Sequence, residues 1–100
     1  MTGERILTLH PDPNKEGVNI DKEKYESMRE TIIDELQVRN EMSFTELGDA
    51  INKKLEGNFS GSISWYYTTV KLDLEARGII ERIGKSSPQM IRLNPNYSDQ

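Results

Sequence analysis

The sequence contains no cysteine, and it has one histidine and one tryptophan among its 100 residues. Without cysteine there can be no disulfide, no thiol nucleophile and no thiolate zinc site. No apolar run approaches the roughly 18 residues that a membrane helix needs, and the first residues lack the basic-then-apolar pattern of a signal peptide. These absences predict a soluble, cytoplasmic protein of one small domain.

Positive charge is also scarce, because 13 basic side chains stand against 17 acidic ones and the formal net charge is −4. The chain as a whole therefore has no electrostatic attraction for nucleic acid or anionic lipid. The charge is unevenly distributed. Residues 21–41 carry seven acidic and four basic side chains, whereas residues 79–93 carry three basic and one acidic. An anionic partner would be held at this basic C-terminal segment.

Residues 1–20, called the arm below, contain two prolines and two glycines. They predict an extended segment without its own core, with room for a brief strand in residues 5–9. The pattern changes at Asp21, a good N-cap, after which apolar side chains recur at helical spacing. The sequence therefore predicts a first helix over 22–38, ended by Asn40 in a left-handed conformation.

The next segment predicts a second helix with clear start and stop signals. Ser43 and Glu46 have the spacing of a capping box, and Gly57 follows the last apolar residue. A third helix begins after Ser60 or Ser62, a choice that the sequence leaves open, and ends at Gly78. The segments "IIERI" and "QMIRL" around "GKSSP" then predict a β-hairpin, followed by a polar tail at 95–100.

The order of three helices and a hairpin resembles a winged helix-turn-helix domain over residues 21–94. The segment Leu74 to Arg82, "LEARGIIER", is similar to the junction between recognition helix and wing in many bacterial regulators. "HPDPNKEGVNIDKEKYESMRE", "SFTELGDAI", "SWYYTTVKLDLEARG" and "KSSPQMIRL" together resemble a family of small bacterial winged-helix proteins of unassigned function. The resemblance implies an α+β winged-helix fold, with an extended N-terminal arm and a C-terminal hairpin wing.

The resemblance also implies where double-stranded DNA would bind. In winged-helix proteins the third helix enters the major groove and the wing contacts the neighbouring backbone. The outer side of helix 62–77 and the wing supply the candidates: Ser64, Thr68, Thr69, Lys71, Arg82, Lys85, Ser86 and Arg92. These provide few phosphate contacts for one monomer, so specific binding would need a homodimer. Each helix candidate, taken alone, is more often an ordinary solvated position. In the wing, the positive cluster of the chain falls where the resemblance places a phosphate contact, which favours function.

Trp65 and Leu72 are unusual because both lie on the outer face of the third helix, in a line called the outer stripe below. In a DNA-binding helix this face normally carries polar or basic side chains. One interpretation is that the arm folds back and covers them with Ile6, Leu7 or Leu9. A second is a protein interface, because tryptophan is enriched in interface hot spots. A third, stacking on an unpaired base, is disfavoured by the absence of a basic groove.

No catalytic or metal site is predicted. His10 and Asp12 lie in the proline-rich arm, where no further side chain completes a metal site. The sequence also contains no phosphate-binding glycine loop and no nucleophile elbow. The sequence therefore favours a DNA-binding module, a small transcriptional regulator or accessory factor, without enzymatic activity, cofactor or membrane partner. The alternative is a winged-helix protein-interaction or dimerisation module that uses the outer face of the third helix.

Overall fold

The structure, a computed structural model, describes residues 3–84 and 90–97. It is an α+β arrangement of three helices and two small antiparallel sheets. In chain order the elements are β1 (Arg5–Leu7), β2 (Asn19–Asp21), α1 (Lys22–Arg39), β3 (Glu41–Ser43), α2 (Phe44–Leu55), α3 (Ile63–Ala76), β4 (Ile80–Ile83) and β5 (Met90–Leu93). None of the helices in the described residues is long and apolar enough to cross a membrane.

Side-chain caps fix where the helices begin, as the sequence predicts. Asp21 accepts the Glu23 N–H at the start of α1, and Asn40 ends that helix with a φ of 69°. At α2 the two halves of the capping box are both present, each at 3.1 Å. The start of α3, which the sequence left open, is decided by Ser62, whose Oγ accepts the Trp65 N–H at 3.1 Å.

The C-terminal sheet differs from the prediction. β4 and β5 pair as antiparallel strands, with Ile80 opposite Leu93, but β5 also pairs with β3, so that the strand order is β3-β5-β4. The prediction of a two-stranded sheet is therefore wrong, because the hairpin is joined by a third strand, β3. The third strand has only three residues and ends in the cap of α2, so it is too short for an alternating pattern to reveal it. The turn at 85–89, with Lys85 and Ser86, lies outside the described residues.

The core lies between the three helices and the inner faces of both sheets. Its buried apolar side chains are Ile20, Tyr25, Met28, Ile32, Leu36, Met42, Leu47, Ile51, Leu55, Tyr67, Val70, Leu74, Ile80 and Ile91. The arm contributes to it, because Ile20 is buried and Ile6, its partner across the β1–β2 pair, packs against the same cluster. The arm is thus folded onto the helices rather than extended away from them.

Candidate functional site

The arm lies on the outer face of α3, where it is held by hydrogen bonds. Thr8 donates its backbone N–H to the Val18 carbonyl at 2.8 Å, which closes the arm on itself. The next amide, that of Leu9, points the other way and donates to Asp73 Oδ1 of α3 at 2.8 Å. The outer face of α3 is therefore partly occupied by the protein's own N-terminal segment.

Asp73 is the anchor of this contact. Its side chain is fully buried and also accepts the Tyr25 hydroxyl of α1 and the Arg77 guanidinium one turn further along α3. Burial raises the pKa of Tyr25 to about 12, and its hydrogen bond to Asp73 acts in the same direction. One carboxylate thus joins the arm, α1 and α3, and hydrogen bonds offset the cost of burying its charge.

A cavity of about 150 Å³, called the Trp65 cavity below, lies between the arm and α3. Trp65, Thr69 and Leu72 line it from the helix, at spacings of four and three that place them on one face. Leu9 and Val18 line it from the arm. The exposed fractions are 47% for Trp65, 42% for Leu9 and 39% for Val18. The arm therefore covers the outer stripe only in part.

The covering predicted from the sequence is therefore partial. Leu9 reaches the stripe, whereas Leu7 is 62% exposed and does not line the cavity. Leu72 is half-buried. The Trp65 ring is held edge-on by Tyr66, with ring centroids 4.9 Å apart and planes at 82°. Trp65 is thus exposed beside the cavity, with its ring against that of Tyr66.

Three further polar side chains line the cavity, namely Glu16, His10 and Thr8, whose hydroxyl donates to the Val18 carbonyl. Glu16 is exposed, and its carboxylate forms no ion pair with any described residue. The His10 ring accepts the Asp12 N–H at Nδ1, at 3.0 Å, so this nitrogen carries no proton. Among the described residues, no lysine or arginine lines the cavity. The wall therefore combines the apolar side chains of Leu9, Val18, Trp65 and Leu72 with hydroxyl and imidazole groups and one carboxylate that forms no ion pair with a described residue.

The predicted DNA-reading residues of α3 do not form one surface. Ser64 and Thr68 are exposed, and Thr69 is half-buried in the Trp65 cavity. Lys71, predicted on an outer flank, is buried instead. Its ammonium lies 2.6 Å from a Glu75 carboxylate oxygen and 5.3 Å from the centre of the Phe44 ring. It cannot reach a phosphate without breaking that pair.

The arginines of the hairpin are also paired with acidic neighbours. Arg82 donates to both carboxylate oxygens of Glu75, at 3.0 and 3.1 Å, and Arg92 donates to Glu81 at 2.7 Å. These pairs link β4 to α3 and to β5. The positive charge that the sequence assigns to the hairpin is therefore largely matched within the described residues.

Asp73, Glu16 and Val18 do not figure in the sequence prediction of a site. Asp73 stands four residues before Arg77, at the border of the inward face of α3, and this position is the signal that could have marked a buried pair. Glu16 and Val18 had no local signal, because only the closure of the arm brings them to α3.

Among the described residues, no group of three or more His, Asp or Glu side chains is arranged to hold a metal ion.

Comparison with known proteins gives one result. A protein-family model, described as a family of unknown function (DUF6958), matches residues 5–91. No curated protein and no solved structure matches the chain significantly. The matched range runs from β1 into β5, so it includes residues 5–20 of the arm, the three helices and every side chain that lines the Trp65 cavity.

Proposed function

We propose that this chain, which belongs to the DUF6958 family of unknown function, is a winged-helix module that binds another protein. The proposed binding site is the Trp65 cavity. The winged-helix part is supported by the order of the elements, since α3 is followed at once by the β4–β5 hairpin. The proposed role is binding without catalysis. It corresponds to the alternative that the sequence left open.

One observation carries the proposal. Six large apolar side chains of the described residues are exposed, and three of them, Leu9, Val18 and Trp65, meet at the same small cavity. Scattered apolar residues are ordinary on a protein surface, whereas a contiguous apolar patch with a polar rim is typical of an interaction site. Tryptophan at the centre of such a patch is the residue most enriched in binding hot spots.

Site-specific photocrosslinking in the producing cells tests the proposal. A photoreactive phenylalanine analogue replaces Val18 in one variant and Val38 in the other. Val38 is 76% exposed on α1 and serves as the matched control, since it is an apolar residue outside the cavity. We expect a discrete crosslinked protein from position 18 that is absent from position 38. It should disappear when Trp65→Ala is added.

The same crosslinked species from both positions, or none from position 18, would contradict the proposal. Persistence of the species in Trp65→Ala would also count against it, because removal of a hot-spot tryptophan costs about 2 kcal/mol or more of binding free energy. A species with twice the mass of the chain would identify the partner as a second copy.

DNA binding remains the second candidate, favoured by the element order and by the exposure of Ser64 and Thr68 on α3. Exposed ion pairs such as Arg92–Glu81 contribute only about 0–1 kcal/mol, so phosphates could displace the acids.

Salt-dependent titration with mixed-sequence duplex DNA tests this second candidate. Arg82→Ala/Arg92→Ala should flatten the salt slope if the hairpin contacts phosphates. Absence of binding at about 20 mM salt, where screening is weakest, would exclude this candidate.

A further inference from the structure

We infer that the Trp65 cavity receives a basic side chain, a lysine or an arginine, from the protein partner. This inference rests on the proposed function and specifies the partner's chemistry. Its starting point is the combination of a small, partly apolar cavity with a carboxylate that forms no ion pair with a described residue and an exposed indole ring. Such a wall suits a side chain that is apolar along its stem and positive at its end.

The size and lining of the cavity fit the stem. A volume of about 150 Å³ is sufficient for one long side chain and too small for a folded segment. Leu9, Val18 and Leu72 supply aliphatic surface on both sides. The methylene groups of lysine or arginine would be removed from water there, which favours binding.

The charge at the cavity selects a cation. Glu16 offers a carboxylate that forms no ion pair with a described residue, and Trp65, whose aromatic ring can attract a cation, also lines the cavity. Among the described residues, no lysine or arginine lines the cavity to repel the incoming group. An acidic side chain would instead meet the like charge of Glu16, which disfavours it.

The field of the whole molecule acts in the same direction. Glu23, Glu26, Glu30 and Asp34 are exposed along one face of α1, and none of them forms an ion pair within the described residues. With a net charge of −4, the protein attracts basic partners at long range and raises their association rate. The cavity then provides the specific contact that this general attraction lacks.

Peptide titration tests the inference directly. Hexa-arginine is compared with hexa-citrulline, which has nearly the same shape but no charge. Trp65 is the one tryptophan of the chain, so its fluorescence reports on the cavity, and calorimetry gives the affinity. We expect hexa-arginine to change Trp65 emission and to bind at least about tenfold more tightly than hexa-citrulline.

Two variants with the same loss of charge separate the cavity from general attraction. Glu16→Gln should weaken hexa-arginine binding about tenfold, the value of a charge-assisted hydrogen bond. Glu30→Gln, on the outer face of α1, should change it less than about twofold. Both positions are exposed, so folding is not threatened, and circular dichroism verifies it.

Equal affinity for the two peptides would overturn the inference, as would equal losses in the two variants. Either outcome, together with a crosslinked partner at position 18, would leave the protein-binding proposal standing with a different partner chemistry. Absence of the crosslink together with tight, Glu16-dependent peptide binding would instead refute the protein-binding proposal and retain the cavity as a cation site.

Discussion

Single residues decide how the arm is attached, and Asp73 is the most important of them. It is fully buried, yet every contact it makes is with a donor, namely the Leu9 amide, the Tyr25 hydroxyl and the Arg77 guanidinium. A buried carboxylate that several donors satisfy contributes little net stability relative to an apolar side chain of similar volume. Its removal, however, leaves those donors unpaired, which is expensive.

We therefore expect Asp73→Asn to lower the free energy of unfolding by about 3 kcal/mol, because the buried side chain then offers its three donors no charged acceptor. Urea denaturation followed by circular dichroism measures the change. Asp34→Asn is the matched control, since Asp34 is exposed on α1, and it should stay within about 0.5 kcal/mol of the native protein. Equal effects in the two variants would contradict the role assigned to Asp73.

Tyr25 makes stability depend on alkaline pH. Its pKa is raised from 10.0 to about 12 in the folded state, first by burial and then by Asp73. The folded protein therefore holds the phenol proton more tightly than the unfolded chain. The resulting stabilisation is fully present below pH 10 and is lost as pH rises from about 10 to 12. A tenfold difference in proton affinity between the two states corresponds to about 1.4 kcal/mol.

We expect Tyr25→Phe to reduce the loss of unfolding free energy between pH 10 and 12 by about 2–3 kcal/mol relative to the native chain. Urea denaturation at a series of pH values gives this difference, and the titration of lysines cancels because both proteins contain them. Tyr67, whose pKa is also raised by burial, accounts for further loss in both. Identical pH profiles would show that Tyr25 does not titrate in this range.

At the scale of elements, each helix begins at a side chain that accepts a backbone N–H. These are Asp21 for α1, Ser43 for α2 and Ser62 for α3. The caps are local in sequence, so they were predictable, and they set where each apolar face starts. The sheet strands follow no such local rule, since β3 exists only because β5 pairs with it.

The capping box of α2 gives a prediction at this scale. Ser43→Ala should lower the free energy of unfolding by about 1 kcal/mol, because the Glu46 amide loses its acceptor at the end of the helix. Ser27→Ala is the control, since Ser27 is exposed within α1 and alanine favours a helix interior. Thermal and urea denaturation compare the two. A loss in Ser27→Ala as large as that in Ser43→Ala would contradict the assignment.

At the scale of the whole molecule, closure of the arm over α3 determines which surface is open. It leaves the Trp65 cavity accessible and covers part of the face that would approach a DNA groove. Basic side chains on and beside α3 are paired with acids, as in the pairs of Glu75 with Lys71 and with Arg82. These features together favour a protein partner over a nucleic acid.

Gly17 makes this closure testable. A Cβ at this position would lie 1.8 Å from the Thr8 carbonyl oxygen, so Gly17→Ala must separate the two halves of the arm. We expect the Leu9 amide, bonded to Asp73, to exchange its hydrogen at least about tenfold faster in the variant. Amides of α2, such as that of Ile51, should be unchanged and serve as the internal reference. Unaltered exchange at Leu9 would contradict this packing of the arm.

The sequence alone determined the features that depend on neighbours within one or two turns. It determined the caps, the three helices, the pairing of β4 with β5 and the membership of Trp65 and Leu72 in one outward stripe, because periodicity and hydrogen-bonding side chains act locally. The family resemblance over nearly the whole chain was also carried by local segments.

Only the tertiary structure decided which of these surfaces stay open. The arm meets α3 through Leu9 and Asp73, which are 64 residues apart in the chain, and β3 joins a sheet whose other strands come later. The burial of Lys71 with Glu75 depends equally on Phe44 from another helix. Such contacts arise when the chain closes on itself, and no local pattern records which partner a side chain will meet.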